Sequence, residues 1–429
     1  MTNTFALVVT VLAGGYVLLA TSGKRGEAVW PLVLFAFMYL LVHFYVPAVK
    51  GATDYLRYGI AFETRDFDRA GAYALLFLIV VVSAFELAVR NKPSAPVLFF
   101  SSQTKSLFFR VGIVSTAFGA FFAALLILNV FESGGMRAYF SNRIYFSQNL
   151  GYASGLALLF PIGALLAFFA IWDGARSKWR AYALFLLLAG YWALFCVSRG
   201  TRLQMFLLLG PPLIVWAAAY ARRPLSALWR WGLIVLPVAF WASFAASYRR
   251  SVLTGAEVTV DTRSITSGLD GAFGNHENLV WLMYESPDPV GGATYVAALT
   301  NLIPRAIWPE KPLGGGPTLT NLIFPNSYEI GRFGNSSITP GLVPEAYMNF
   351  GPLGALIVAA LFGIVLAKIS NGLRGSRSMA AVVLYSLALF FLCILSVFSE
   401  FLGIFTMWVV MSVPCLAIVI ADRRNRLRQ

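Results

Sequence analysis

Charge is what this chain has least of: 12% of its 429 residues are Asp, Glu, Lys or Arg, against 59% hydrophobic. A water-soluble fold of that size would carry far more charge on its surface. Histidine is scarcer still, at two residues, and cysteine is confined to Cys196, Cys393 and Cys415. All three thiols fall in apolar runs and no CxxC spacing occurs, which speaks against a disulfide framework and a structural zinc. No GxxxxGK[ST] loop is present, so a P-loop ATP-driven pump is excluded. No internal repeat is visible, which weighs against a secondary transporter built on inverted repeats. A basic n-region ahead of the first apolar run is also missing. Lys24 and Arg25 follow that run instead, so no cleavable signal peptide is expected.

What the chain does have is apolar runs of about 20 residues from end to end, the signature of a polytopic helical membrane protein. Eleven spans are expected, at 4–22, 28–49, 70–89, 107–130, 150–172, 180–197, 203–221, 229–247, 341–367, 379–398 and 401–421. The fold class is therefore an all-α polytopic membrane protein, a single membrane domain over 1–429. Alternate connections, beginning with Lys24 and Arg25, together with the carboxyl-terminal tail hold 19 of the 33 Lys and Arg residues. By the positive-inside rule these face the cytoplasm, with the amino terminus outside and the carboxyl terminus inside. The formal charge of +14 is thus mainly an orientation signal and no argument for nucleic acid.

Cytoplasmic connections are too short for a soluble catalytic domain. Outside, one loop at 248–340 dwarfs the others. Within it, GLDGAFGNHENLVWLMYES (268–286) and GATYVAALTNLIPRAIWP (292–309) alternate polar and apolar residues at helical spacing. Both are expected as amphipathic helices lying on or dipping into the membrane surface. SPDPVGG and EKPLGGGP are turns or loops.

Arginines crowd the outer connections: Arg199 and Arg202 on a tight turn, then Arg249, Arg250, Arg305 and Arg332. A guanidinium matches phosphate bidentately and stays charged at any relevant pH, so several converging would hold a diphosphate. Singly, each equally suits a headgroup anchor, Arg202 above all. His276 in the large loop is a candidate general base, with a helix cap or headgroup contact as its bland alternative. Glu345 opens the ninth span, where a carboxylate is costly unless paired or functional. It suits orienting an arginine better than replacing His276 as base. Asp66 and Asp68 have the spacing for a divalent metal, but Arg65 and Arg69 bracket them and no other ligand cluster supports a site, so no metal is expected. His43, one turn after Tyr39, reads as structural, and Glu400, between the last two spans, as solvated.

IPRAIWPEKP, a Gly-rich segment, ITPGLVPEAYMNFGPLG, the SRG turn and one large late loop resemble the bacterial Wzy-type polymerases of O-antigen and related surface polysaccharides. The resemblance covers the whole layout, with its sharper motifs at 198–202 and 303–354. It implies a GT-C-like, metal-independent membrane glycosyltransferase of the bacterial inner membrane, without cofactor, its active site facing the periplasm. That enzyme joins oligosaccharide repeat units carried on undecaprenyl diphosphate: a sugar hydroxyl of one unit attacks the growing chain, and lipid diphosphate leaves. Partners implied are lipid-linked oligosaccharides, the bilayer, a chain-length regulator and a flippase. Arg199, Arg249, Arg250 and Arg305 match the family's outer-loop arginines by location, and the related O-antigen ligases suggest His276 as base. Two alternatives stay open: a ligase, which uses the same groups on another acceptor, and a flippase or anion transporter, which predicts charges deep in several spans.

Overall fold

The computed structural model describes residues 26–50, 56–90, 102–148, 150–172, 178–201, 203–220, 244, 247–249, 251–255, 274–376 and 378–427. Among them the chain is nearly all helix. Eight helices are long and apolar enough to cross a bilayer: Ala28–Ala48, Thr64–Ala88, Gln103–Glu132, Gly151–Trp172, Trp179–Arg199, Leu342–Gly375, Met379–Phe398 and Phe401–Asp422. Gln204–Ala219 is apolar but shorter. These account for nine of the expected spans; 4–22 and nearly all of 229–247 lie outside the described residues. The architecture is that of an all-α polytopic membrane protein. One small exception to the helices is a hairpin in which Leu56–Arg57 pairs antiparallel with Ile60–Ala61. Tyr58 and Gly59 turn it at φ 59° and 78°, the left-handed pair that a type I′ turn requires.

Small residues set how closely the spans approach. A Cβ on Gly112 would lie 2.6 Å from the Ala167 nitrogen, and one on Gly163 2.4 Å from the Thr116 nitrogen. The Ser102–Glu132 and Leu159–Trp172 helices therefore touch backbone to backbone. In lipid, where apolar burial gives no net drive, such close dispersion contact holds helices together. All three cysteines are free and buried, as their apolar settings imply.

The Leu342–Gly375 helix breaks once, at Gly351 (φ 67°, ψ −172°), just before Pro352. Pro352 lacks the N–H that the Met348 carbonyl would otherwise accept. Val290 N–H takes its place at 3.0 Å, and Gly291 N–H donates to the Asn349 carbonyl at 3.0 Å. A carbonyl freed inside a membrane helix needs such a replacement, so the break ties the 286–292 turn to this helix. At the far end Asn371 caps the Thr64–Ala88 helix: its Nδ2 donates to the Ala88 carbonyl at 3.1 Å, and its Oδ1 accepts from Arg90 N–H at 2.9 Å.

The large loop departs from expectation. His276–Glu285 is helical, but it is inserted in the bundle and does not lie on its surface, for every residue from Asn275 to Leu282 is buried. Its polar positions are buried along with the apolar ones because hydrogen bonds satisfy Asn275, His276 and Asn278. In the second stretch only Ala293–Leu299 is helix; the rest is a chain of turns.

Candidate functional site

Asn275 and Asn278 clamp the extended segment that leads into the Leu342–Gly375 helix. Their Nδ2 groups donate to the Thr339 carbonyl at 2.6 and 2.9 Å, and the Tyr58 hydroxyl donates to Asn278 Oδ1 at 2.6 Å. Gly341 has φ +81°, and a Cβ there would meet the Val397 carbonyl at 2.6 Å, so the GLVPEA turn needs glycine at this point.

The helix start brings the chain's two histidines together, Nδ1 of His276 lying 3.3 Å from Nδ1 of His43. His43 belongs to a π-helical stretch, Leu41–Tyr45, whose extra residue per turn redirects side chains. Its ring also packs on Tyr39, centroids 4.5 Å apart, the neighbour one turn earlier. His276 further donates to the Phe67 carbonyl, yet burial dominates and lowers its pKa to about 4. It is neutral at physiological pH. Buried against His43 and Phe67, the ring presents no open edge to a substrate in this arrangement.

Glu345 is buried at the start of its span. Oε1 accepts from the Thr294 hydroxyl at 2.8 Å and Oε2 from Phe401 N–H at 2.7 Å. It therefore caps the first turn of the last span by accepting an otherwise unpaired N–H, and its partners include no arginine. Asn349 closes the network by donating to Thr294 Oγ1 and to the Glu345 carbonyl, each at 2.7 Å. The Gly-rich segment wraps this node, since a Cβ on Gly315 would lie 2.6 Å from Glu345 Oε1. Glu400 is not simply solvated: Oε2 accepts Gly316 N–H at 2.6 Å, at the start of the Gly315–Ile323 helix.

The arginines ring a different part of the same loops. Arg199 is buried at the end of its helix, 5.1 Å above the Tyr139 ring, with Nη2 3.5 Å from Ser154 Oγ. Arg143, on the Arg143–Gln148 helix, reaches the Gly200 carbonyl at 3.4 Å. Tyr248, beside Arg249, donates to Met136 Sδ at 3.1 Å and packs with Tyr139 and Phe140. Arg332 is exposed and bonds the Asn326 carbonyl at 2.9 Å. Next to it, Phe333 stacks on Tyr145 at 3.8 Å. Arg305 gives three hydrogen bonds to its own loop: Nη1 to the Pro309 and Lys311 carbonyls at 3.0 and 2.6 Å, and Nη2 to that of Pro312 at 3.1 Å. Tyr152, two residues before Ser154, touches the Leu302 carbonyl at 3.4 Å, which links the Arg199 and Arg305 loops. Arg250 and Arg202 lie outside the described residues.

Contacts thus draw Arg199, the segments bearing Arg305 and Arg332, and the segment bearing Arg249 toward three short helices, Gly135–Ser141, Arg143–Gln148 and Gly151–Ala157. Asp66 is committed to a capping box, its Oδ2 accepting Glu63 N–H at 3.0 Å. Among the described residues no group of three or more His, Cys, Asp or Glu is placed to hold a metal ion. Sequence reasoning passed over Arg143, whose signal is an arginine in a connection already rich in aromatics, and the pairing of His43 with His276, which had none.

The stretch from the Gly-rich segment through the last two spans decides what this arrangement resembles. Residues 318–424 match the family model of the O-antigen polysaccharide polymerase Wzy. The Wzy match supports O-antigen polymerisation by a membrane glycosyltransferase. It takes in Arg332, Glu345 and Glu400, and leaves out His276, Arg199, Arg249, Arg250 and Arg305. Of the two longer motifs behind the Wzy resemblance, ITPGLVPEAYMNFGPLG lies within the match and IPRAIWPEKP before it. No curated protein and no solved structure matches the chain.

Proposed function

We propose that this protein polymerises undecaprenyl-diphosphate-linked oligosaccharide repeat units by metal-independent glycosyl transfer at the periplasmic face of the bacterial inner membrane. The observation that carries the reading is the Wzy match over 318–424, joined by the approach of arginine-bearing segments to three short helices. The eleven-span topology with amino terminus outside, cytoplasmic tail and a GT-C-like fold belong to the same proposal, supported by the charge distribution. So do a chain-length regulator and a flippase as partners.

In this reading Arg199, Arg249, Arg250, Arg305 and Arg332 bind the diphosphate of the donor and offset the charge that grows on it as it leaves. Arg305 uses three of its five N–H donors on loop carbonyls, so it holds the loop and keeps two for phosphate. Substitution by lysine could not do both. His276, expected as the general base, and Glu345, expected rather to orient an arginine, are buried and held by other groups of the protein; their proposed part is to fix the wall against which the acceptor sugar is held, since small errors in placement cost rate heavily.

Deleting the gene tests the reading in cells. A polymerase deletion leaves surface glycans capped at one repeat, and the wild-type gene restores long chains. Absence of any attached glycan would instead indicate a ligase, and accumulation of lipid-linked units on the cytoplasmic side a flippase.

A further inference from the structure

Transfer of a sugar to a hydroxyl needs a group that takes the hydroxyl proton, and such a group must have an unengaged atom. His276 is buried with Nδ1 on His43, and Glu345 has both oxygens engaged. Glu400 differs. Oε2 is anchored by Gly316 N–H at 2.6 Å, which orients the carboxylate, while Oε1 has no partner among the described residues and the side chain is only partly buried. It sits between the last two spans, inside the Wzy-matched segment, on a turn that packs against the Gly-rich segment. A Cβ on Gly314 would lie 3.2 Å from Oε2, and two residues earlier the Pro312 carbonyl is held by Arg305 at 3.1 Å. Chain geometry then puts the Arg305 guanidinium within about 15 Å of the carboxylate, near enough for one lipid-linked sugar to touch both.

Resting on the polymerase reading above, we propose that Glu400 is the general base of glycosyl transfer. Glu400 Oε1 takes the proton of the acceptor hydroxyl, whose oxygen forms the new bond to the anomeric carbon of the donor. The bond from that carbon to the diphosphate oxygen breaks, and its electron pair departs with undecaprenyl diphosphate. The groups facing Glu400 are Gly316 N–H and the Glu345 carboxylate. Burial raises the Glu400 carboxyl while the Gly316 bond opposes the rise, moving it toward the range where a carboxylate serves as a base near neutral pH. Leaving one oxygen open while the other is fixed is what separates it from Glu345, whose oxygens are held by the Thr294 hydroxyl and Phe401 N–H.

The test uses the full-length protein in proteoliposomes with undecaprenyl-diphosphate-linked repeat units. Glu400→Gln keeps an oxygen for Gly316 N–H but cannot take a proton, and Glu400→Asp keeps the base on a shorter arm. Expected for Glu400→Gln is a fall of about 100-fold or more in transfer rate, with donor binding and melting temperature unchanged and the acidic limb of the pH–rate profile gone. Glu400→Asp should retain measurable activity with that limb present. A wild-type ladder with Glu400→Gln within threefold of it would overturn this inference alone. So would a loss accompanied by lost donor binding or a lowered melting temperature, for Glu400 would then only hold the Gly315–Ile323 helix. No ladder from the wild type would overturn the polymerase reading and this inference with it.

Discussion

Acidification should release the helix that carries His276. This imidazole is buried, and its pKa falls from the ordinary 6.5 to about 4. A group with a depressed folded-state pKa binds its proton more readily once unfolded, so stability is complete above about pH 6.5 and is lost as pH falls toward 4. At 1.36 kcal/mol for each pH unit, the loss approaches about 3 kcal/mol at pH 4. The contact with His43 Nδ1 at 3.3 Å works in the same direction, since two protonated rings cannot share it. The assay is thermal unfolding in detergent, followed by tryptophan fluorescence between pH 7.5 and 4, for wild type and for His276→Asn, which retains an acceptor near the Nδ1 position but does not titrate. Wild type should lose melting temperature steeply below pH 6.5, and the variant should be flatter by most of that 3 kcal/mol. Parallel curves would refute the reasoning.

Four further substitutions probe the fold and the arginine loop. Gly163→Leu should lower stability by about 3 kcal/mol, because its side chain meets the Thr116 backbone with no room to relax, whereas Gly190→Ala, with nothing within 4 Å, should leave the melting temperature unchanged. Arg305→Ala removes three hydrogen bonds to loop carbonyls. At about 2 kcal/mol for a single charge-assisted bond, amide exchange at Ile307, Trp308 and Lys311 should accelerate by at least about 30-fold, and Arg305→Lys should fall between.

The spans were legible because twenty apolar residues in a row have few other fates, and nine of the eleven expected coincide with helices, although the helices at Thr64–Ala88 and Leu342–Gly375 extend well past the apolar runs. Small hairpins were not: Leu56–Arg57 and Ile60–Ala61 are too short to show a period. The helix at 276–285 was found by its spacing but assigned to the wrong environment. A polar face reads as surface-seeking unless its partners are known, and Thr339, His43 and Tyr58 are 61, 233 and 220 residues away from the side chains they meet. The same limit hid the role of Glu345, whose cost in an apolar setting was plain from sequence while its partners, Thr294 and Phe401 N–H, were not. That arginines collect in the connections expected to lie outside was readable from the sequence, although only contact geometry brings Arg143 beside the Arg199 turn.

The central claim is that this protein lengthens lipid-linked glycans, and purified protein supplied with undecaprenyl-diphosphate-linked repeat units tests it most directly. The account predicts a ladder of products differing by one repeat, formed without added metal and undiminished by a chelator. Single repeats persisting in an assay where an established polymerase builds a ladder would contradict it.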